Sequence, residues 1–144
     1  MTINNATAGT VSLASGSLGK ALTGTAADMA AAFTGITTYT GNLSISDEHD
    51  LSELVTINNA TAGTVSLASG SLGKAITGTA ADMAAAFTGI TTYTGNLSIS
   101  DEHDLSELVT INNATAGTVS LASGSLGKAS VSYTHLTLPT KRIV

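Results

Sequence analysis

Asn42-Leu43-Ser44-Ile45-Ser46-Asp47-Glu48-His49-Asp50-Leu51-Ser52-Glu53-Leu54-Val55-Thr56-Ile57-Asn58 changes its periodicity partway along. Its first five residues alternate polar and apolar, the pattern of a strand buried on one side. Asp50, with Glu53 three residues on, has the form of a capping box, so Asp50–Asn58 reads as a short helix. Earlier in the chain, Asp28–Ile36 has apolar residues at helical spacing, with Thr25 as its cap partner and Gly35 as a stop. Helix thus alternates with strand, and consecutive strands joined through helices must run parallel.

The same stretch returns further on. Thr2–Val55 reappears as Thr56–Val109 with one change, Leu22 to Ile76, and Thr110–Ala129 opens a third copy. Such self-similarity makes the repeat the unit of architecture. Aligning Asp28 with Asp50 also places Gly41 on Gly63, Leu43 on Val65 and Ile45 on Leu67, so each repeat divides into two half-units. The expected fold is α/β: a single-sheet, right-handed parallel β/α solenoid with leucine-rich-repeat-like rungs of about 27 residues, two per repeat. Strands are expected near 10–14, 42–46, 64–68, 96–100 and 118–122, and helices near 25–34, 50–58, 79–88 and 104–112. The longer connection, Ser69–Gly78, should hold a turn and a short extra strand. Leu43, Ile45, Val65 and Leu67 should face the helices. Asn42, Ser44, Ser46, Thr64 and Ser66, with Asn96, Ser98 and Ser100, should form an exposed polar ladder, because half-buried strands alternate.

Composition narrows the function classes. Hydrophobic residues make up 42% of the chain but aromatics only 3%, with no Trp and no Cys. Core filling therefore falls to Ala, Leu, Ile and Val, with Met29, Phe33 and their copies as the largest pieces. Disulfides and thiolate chemistry are excluded together. A net charge of −5 argues against nucleic acid as a partner, since phosphate binding needs clustered Lys and Arg. No apolar run approaches the ~20 residues of a membrane span.

The two ends read differently from the middle. Ser130–Val144 departs from the third repeat and resembles a translated sequencing-library adapter, through Val131-Ser132-Tyr133-Thr134-His135-Leu136-Thr137-Leu138-Pro139-Thr140. Met1 stands where Val55 and Val109 stand in the later copies, as an internal valine codon read as a start would place it. The expected organisation is a repeat array over 1–129 (2–55, 56–109 and a partial 110–129) and a non-native tail over 130–144.

The repeats carry a resemblance as well. TYTGNLSISD, LVTINNATAGTVSL and LTGTAADMAAAFTGIT resemble the α/β solenoid repeats of very long secreted or cell-surface proteins of marine bacteria. The resemblance is one of pattern, covers essentially all of 2–129 and has no activity attached. It implies an extracellular or cell-surface structural or adhesive role, with neighbouring repeats of the same array as partners. Such proteins often also carry haemolysin-type calcium-binding repeats, but the glycine-rich nonapeptides of those repeats are absent here.

Candidate sites are few. Asp47, Glu48 and Asp50, with Asp101, Glu102 and Asp104, are the densest chemical cluster and offer hard oxygen ligands for calcium. Acidic residues at a helix N-terminus are equally what the helix dipole favours. Gly16-Ser17-Leu18-Gly19-Lys20 looks like a phosphate loop but has Ala14 and Ala21 where that motif needs Gly and Ser or Thr. Asn5-Ala6-Thr7 and Asn42-Leu43-Ser44 fit the glycosylation sequon, and Asn59 reads as a helix terminator. A catalytic constellation is normally unique in its domain, whereas every residue here recurs, so no enzyme and no cofactor is expected. The alternative to a structural role is a binding module, using the polar ladder for ice or glycan or the acidic turns for calcium.

Overall fold

A computed structural model of the chain describes residue 4 and residues 6–122. Four α-helices lie among the described residues: α1 (Ala26–Phe33), α2 (Leu51–Ala60), α3 (Ala80–Phe87) and α4 (Leu105–Ala114). Six short strands accompany them: β1 (Leu22–Gly24), β2 (Leu43–Ile45), β3 (Val65–Ser66), β4 (Ile76–Gly78), β5 (Leu97–Ile99) and β6 (Val119–Leu121). The expected tail, 130–144, and the end of the third copy lie outside the described residues.

Local chemistry explains the helices. Asp50 accepts from Glu53 N while the Glu53 carboxylate accepts from Asp50 N, a complete capping box that recurs at Asp104 and Glu107. Thr25 Oγ1 accepts from Asp28 N at 3.1 Å and so starts α1. Gly35 and Gly89 follow α1 and α3 at φ +76 and +77, a conformation that costs glycine nothing. Asn59 does not end α2, which runs on through Ala60 to an extended Thr61. Asn59 lies within the helix and is exposed.

The strands form two separate three-stranded parallel sheets, ordered β1-β2-β3 and β4-β5-β6. The single continuous sheet of a solenoid is therefore not the fold, and half-units of about 27 residues do not describe it. Strands begin at Leu22, Leu43, Val65 and Ile76, so the intervals are 21, 22 and 11 residues. The short extra strand of the long connection forms as β4 and pairs with β5, and its counterpart β1 pairs with β2. Residues 10–14, expected as a strand, form none.

The two sheets are linked by a turn and by side-chain contact. After Ser66 the chain turns through a 3-10 helix at Ser69–Ser71, which ends the ladder of β3. Leu51 of α2 then lies over Gly78 of β4, so closely that a Cβ at Gly78 would overlap Leu51 Cδ2. Leu51 of the first repeat thus reaches β4 of the second through its side chain, and no backbone ladder joins the two sheets.

Within each sheet the alternation holds. Leu43 and Ile45 are buried, as are Leu97 and Ile99, while Val65 and Leu67 are half-buried against the core. The helices pack in sequence, α1 on α2, α2 on α3 and α3 on α4, and close one side of both sheets. Met83, Phe87, Tyr93, Leu54 and Ile57 are the heart of the core that results. Phe33 meets Tyr39, and Phe87 meets Tyr93, with ring centroids 4.9 Å apart and planes tilted by 61° and 60°.

Glycine sets the spacing at one edge. A Cβ on Gly63 would stand 2.5 Å from Gly41 O and 2.9 Å from Thr40 O, and one on Gly41 would overlap Lys20 O. Gly95 and Gly117 repeat the arrangement. Backbone lies directly on backbone here, so no larger residue fits.

Candidate functional site

Asp47-Glu48-His49-Asp50 links β2 to α2 and stands at the junction of the two repeats. Its acidic side chains diverge. Asp47 Oδ1 accepts from Ala26 N at 2.8 Å and so caps α1, and Asp101 Oδ1 accepts from Ala80 N at the same distance. Asp50 Oδ1 accepts from Glu53 N and from Ser52 Oγ, both at 2.8 Å. Those bonds, the Glu53 amide first, hold the Asp50 carboxyl below its ordinary pKa, and Asp104 is held low in the same way. Glu48 Oε2 takes Lys74 Nζ at 3.0 Å, an exposed pair. The carboxylates therefore serve different helix ends and a lysine, without converging on one point. Among the described residues no group of three or more His, Cys, Asp or Glu is arranged to hold a metal ion.

The sequence places His49 in this turn, where beside carboxylates it reads as a candidate zinc or nickel ligand, but does not show its burial. Set between acidic neighbours it reads as surface, yet only 2% of it is exposed. Neither ring nitrogen finds a hydrogen-bond partner among the described residues, and its ring lies 6.2 Å from that of Tyr93. Burial pushes its pKa down, and the nearby Lys74 ammonium adds to the effect. His103, the copy, is also buried, with its Nδ1 unpartnered. The Tyr93 ring beside His49 comes from the following repeat, which no local sequence pattern encodes.

Tyr39 and Tyr93 were equally hidden, each flanked by threonines in a turn-like stretch. Their hydroxyls donate to Lys20 O and Lys74 O, the latter at 2.7 Å. Burial pushes the Tyr93 hydroxyl up to about 12 and raises that of Tyr39 as well.

The polar ladder is divided between the two sheets. Asn42, Ser46, Thr64 and Ser66 are exposed, as are Asn96 and Ser100, while Ser44 and Ser98 are half-buried. Asn42 Oδ1 accepts from Thr64 N at 3.0 Å, and Asn96 Oδ1 from Thr118 N, so both amides brace the edge that they decorate. The Gly16–Lys20 stretch holds a 3-10 turn at Ser15–Ser17 and an exposed lysine.

Asparagine finds a further use within each repeat. Asn58 Nδ2, from α2, donates to Ala85 O at 2.7 Å and Thr88 O at 3.0 Å, satisfying carbonyls at the end of α3. Asn4 does the same for Ala31, Ala32 and Thr34. No helix among the described residues is long and apolar enough to cross a membrane. Compared with family models, with curated proteins and with solved structures, the chain matches none.

Proposed function

We propose that this chain is a non-catalytic structural and adhesive repeat segment of a large secreted or cell-surface bacterial protein. Its work is to join like units by burying the side of one against the side of the next. The observation that carries this reading is the junction between the two repeats. Leu51 seats on Gly78, Lys74 pairs with Glu48, Ser71 Oγ reaches Asp47 O at 3.4 Å and His49 is buried against Tyr93. Of the side chains with most chemical potential, Asp47 and Asp50 cap helices and Glu48 pairs across the junction with Lys74. The resemblance of 2–129 to repeats of long surface proteins supports the secreted setting.

The reading predicts that the two repeats unfold as one. Tyr39 and Tyr93 report separately on the first and second repeat by their ring signals in NMR. Through a urea titration both should lose native signal at the same midpoint, as strong coupling between neighbouring units requires. Two well-separated midpoints would mean that the junction does not couple the units and would sink the proposal.

A further inference from the structure

The first repeat carries an apolar hollow of about 240 Å³, lined by Leu13, Ser17, Lys20, Leu22, Phe33 and Tyr39 among others. Each of these residues has a counterpart in the second repeat: Leu67, Ser71, Lys74, Ile76, Phe87 and Tyr93. There the equivalent surface is engaged. Ser71 Oγ meets Asp47 O, Lys74 pairs with Glu48, and Tyr93 packs on His49. The difference shows in exposure. Ser71 and Ile76 are 2% and 7% exposed, whereas Leu22 is 44% and Leu13 36% exposed. One lining, nearly identical in sequence, is thus seen filled in the second repeat and open in the first.

We propose that this hollow is a docking site for the Ser-Asp-Glu-His-Asp-Leu segment of a further copy of the same 54-residue repeat. The proposal rests on the structural reading above and names its contact. The imidazole of the incoming segment enters beside Tyr39, as His49 enters beside Tyr93. Its glutamate reaches Lys20, as Glu48 reaches Lys74, and its leucine covers Gly24, as Leu51 covers Gly78. Charge is complementary, since Lys20 is the cation of the lining and the segment is acidic. This molecule's own copies are committed elsewhere: His49 is buried in the internal junction, and His103 is only 6% exposed. The occupant is therefore a further repeat.

The test uses a synthetic peptide with the sequence of Asn42–Thr56 and the isotope-labelled protein. Saturable one-to-one binding should shift the NMR signals of Leu13, Leu22 and Tyr39 and leave Ile76 and Tyr93 in place. Lys20→Glu should weaken it roughly three- to tenfold, the effect of turning a surface attraction into a repulsion. A peptide with aspartate for its histidine should bind more weakly, because a carboxylate loses more hydration beside the Tyr39 ring than a neutral imidazole does. The second measurement uses a chain lengthened by one more copy of Thr2–Val55 ahead of residue 2. There the Tyr39 ring signals should move onto those of Tyr93. Tyr39 signals unmoved in the lengthened chain, or peptide binding indifferent to both substitutions, would overturn the proposal. If the two repeats still unfold together in that case, only the docking site falls and the structural reading stands.

Discussion

Replacing Gly63 by Ala adds one carbon at a place where the backbone leaves no room for it. The new Cβ would stand 2.5 Å from Gly41 O, 2.7 Å from Gly41 C and 2.9 Å from Thr40 O. Ordinary contact begins at about 3.4 Å, so the Gly63 strand must retreat by roughly 0.9 Å from a neighbour made of backbone. That retreat strains the bonds that cross the gap. They are Thr61 Oγ1 to Gly41 O at 2.7 Å, Ala62 N to Tyr39 O at 2.9 Å and Leu43 N to Thr64 O at 2.9 Å. A net loss of about 1 kcal/mol for each of three bonds gives a destabilisation of about 3 kcal/mol. That is a large share of the ~5–15 kcal/mol by which a domain is stable. Gly70→Ala is the matched control, with nothing within 4 Å of its added Cβ. It should be neutral or gain a few tenths of a kcal/mol, since alanine narrows the unfolded ensemble. Urea unfolding followed by circular dichroism reads both variants, with an unchanged slope expected for each. The reasoning is refuted if Gly63→Ala and Gly70→Ala have the same midpoint.

Two further outcomes follow from buried groups. Burial keeps His49 neutral in the fold, whereas an unfolded histidine takes a proton near pH 6.5. Above that pH neither state binds the proton. Below it the unfolded chain does so first, and stability should fall by at most about 1.4 kcal/mol per pH unit until the pH passes the folded-state value. The contribution of Asp50, whose pKa is lowered from 3.8, is lost only in more acid solution, so the two windows separate. His49→Leu should flatten the upper window in melting curves taken between about pH 7.5 and 4.5, and a parallel decline in both proteins would count against the assignment. Asn58→Ala removes bonds to two carbonyls at the end of α3 and should cost about 1–3 kcal/mol. Asn59→Ala, on the exposed side of α2, should be neutral or slightly stabilising by helix propensity. Equal urea midpoints for these two variants would remove the Asn58 cap of α3 from the account.

Much of the local structure was legible before any coordinates. The Asp50–Glu53 capping box, the stop at Gly35 and the alternation of Leu43, Ser44 and Ile45 each depend on residues within one turn or one strand, and each formed as read. Parallel pairing and the register of Leu43 on Val65 also follow from the internal repeat, because similar segments pack alike. Leu67, by contrast, only lines the core edge, since β3 ends at Ser66.

Other features depend on what residues distant in sequence bring together. The sheets part between β3 and β4, where Leu51 lies on Gly78, a contact between two repeats that no local pattern encodes. Asp47 reads as a surface acid and becomes the cap of a helix that precedes it by more than a dozen residues. His49 lies between carboxylates in sequence and beside Tyr93 in space. Capping, periodicity and turn chemistry act over a few residues and can be read from them, so the sequence by itself determined the four helices and the strands β2, β3, β5 and β6, but not the absence of a strand at 10–14. Sheet continuity, burial of a polar ring and the filling of a hollow are set by the side of the next unit, and only the tertiary structure decides which surface that unit presents.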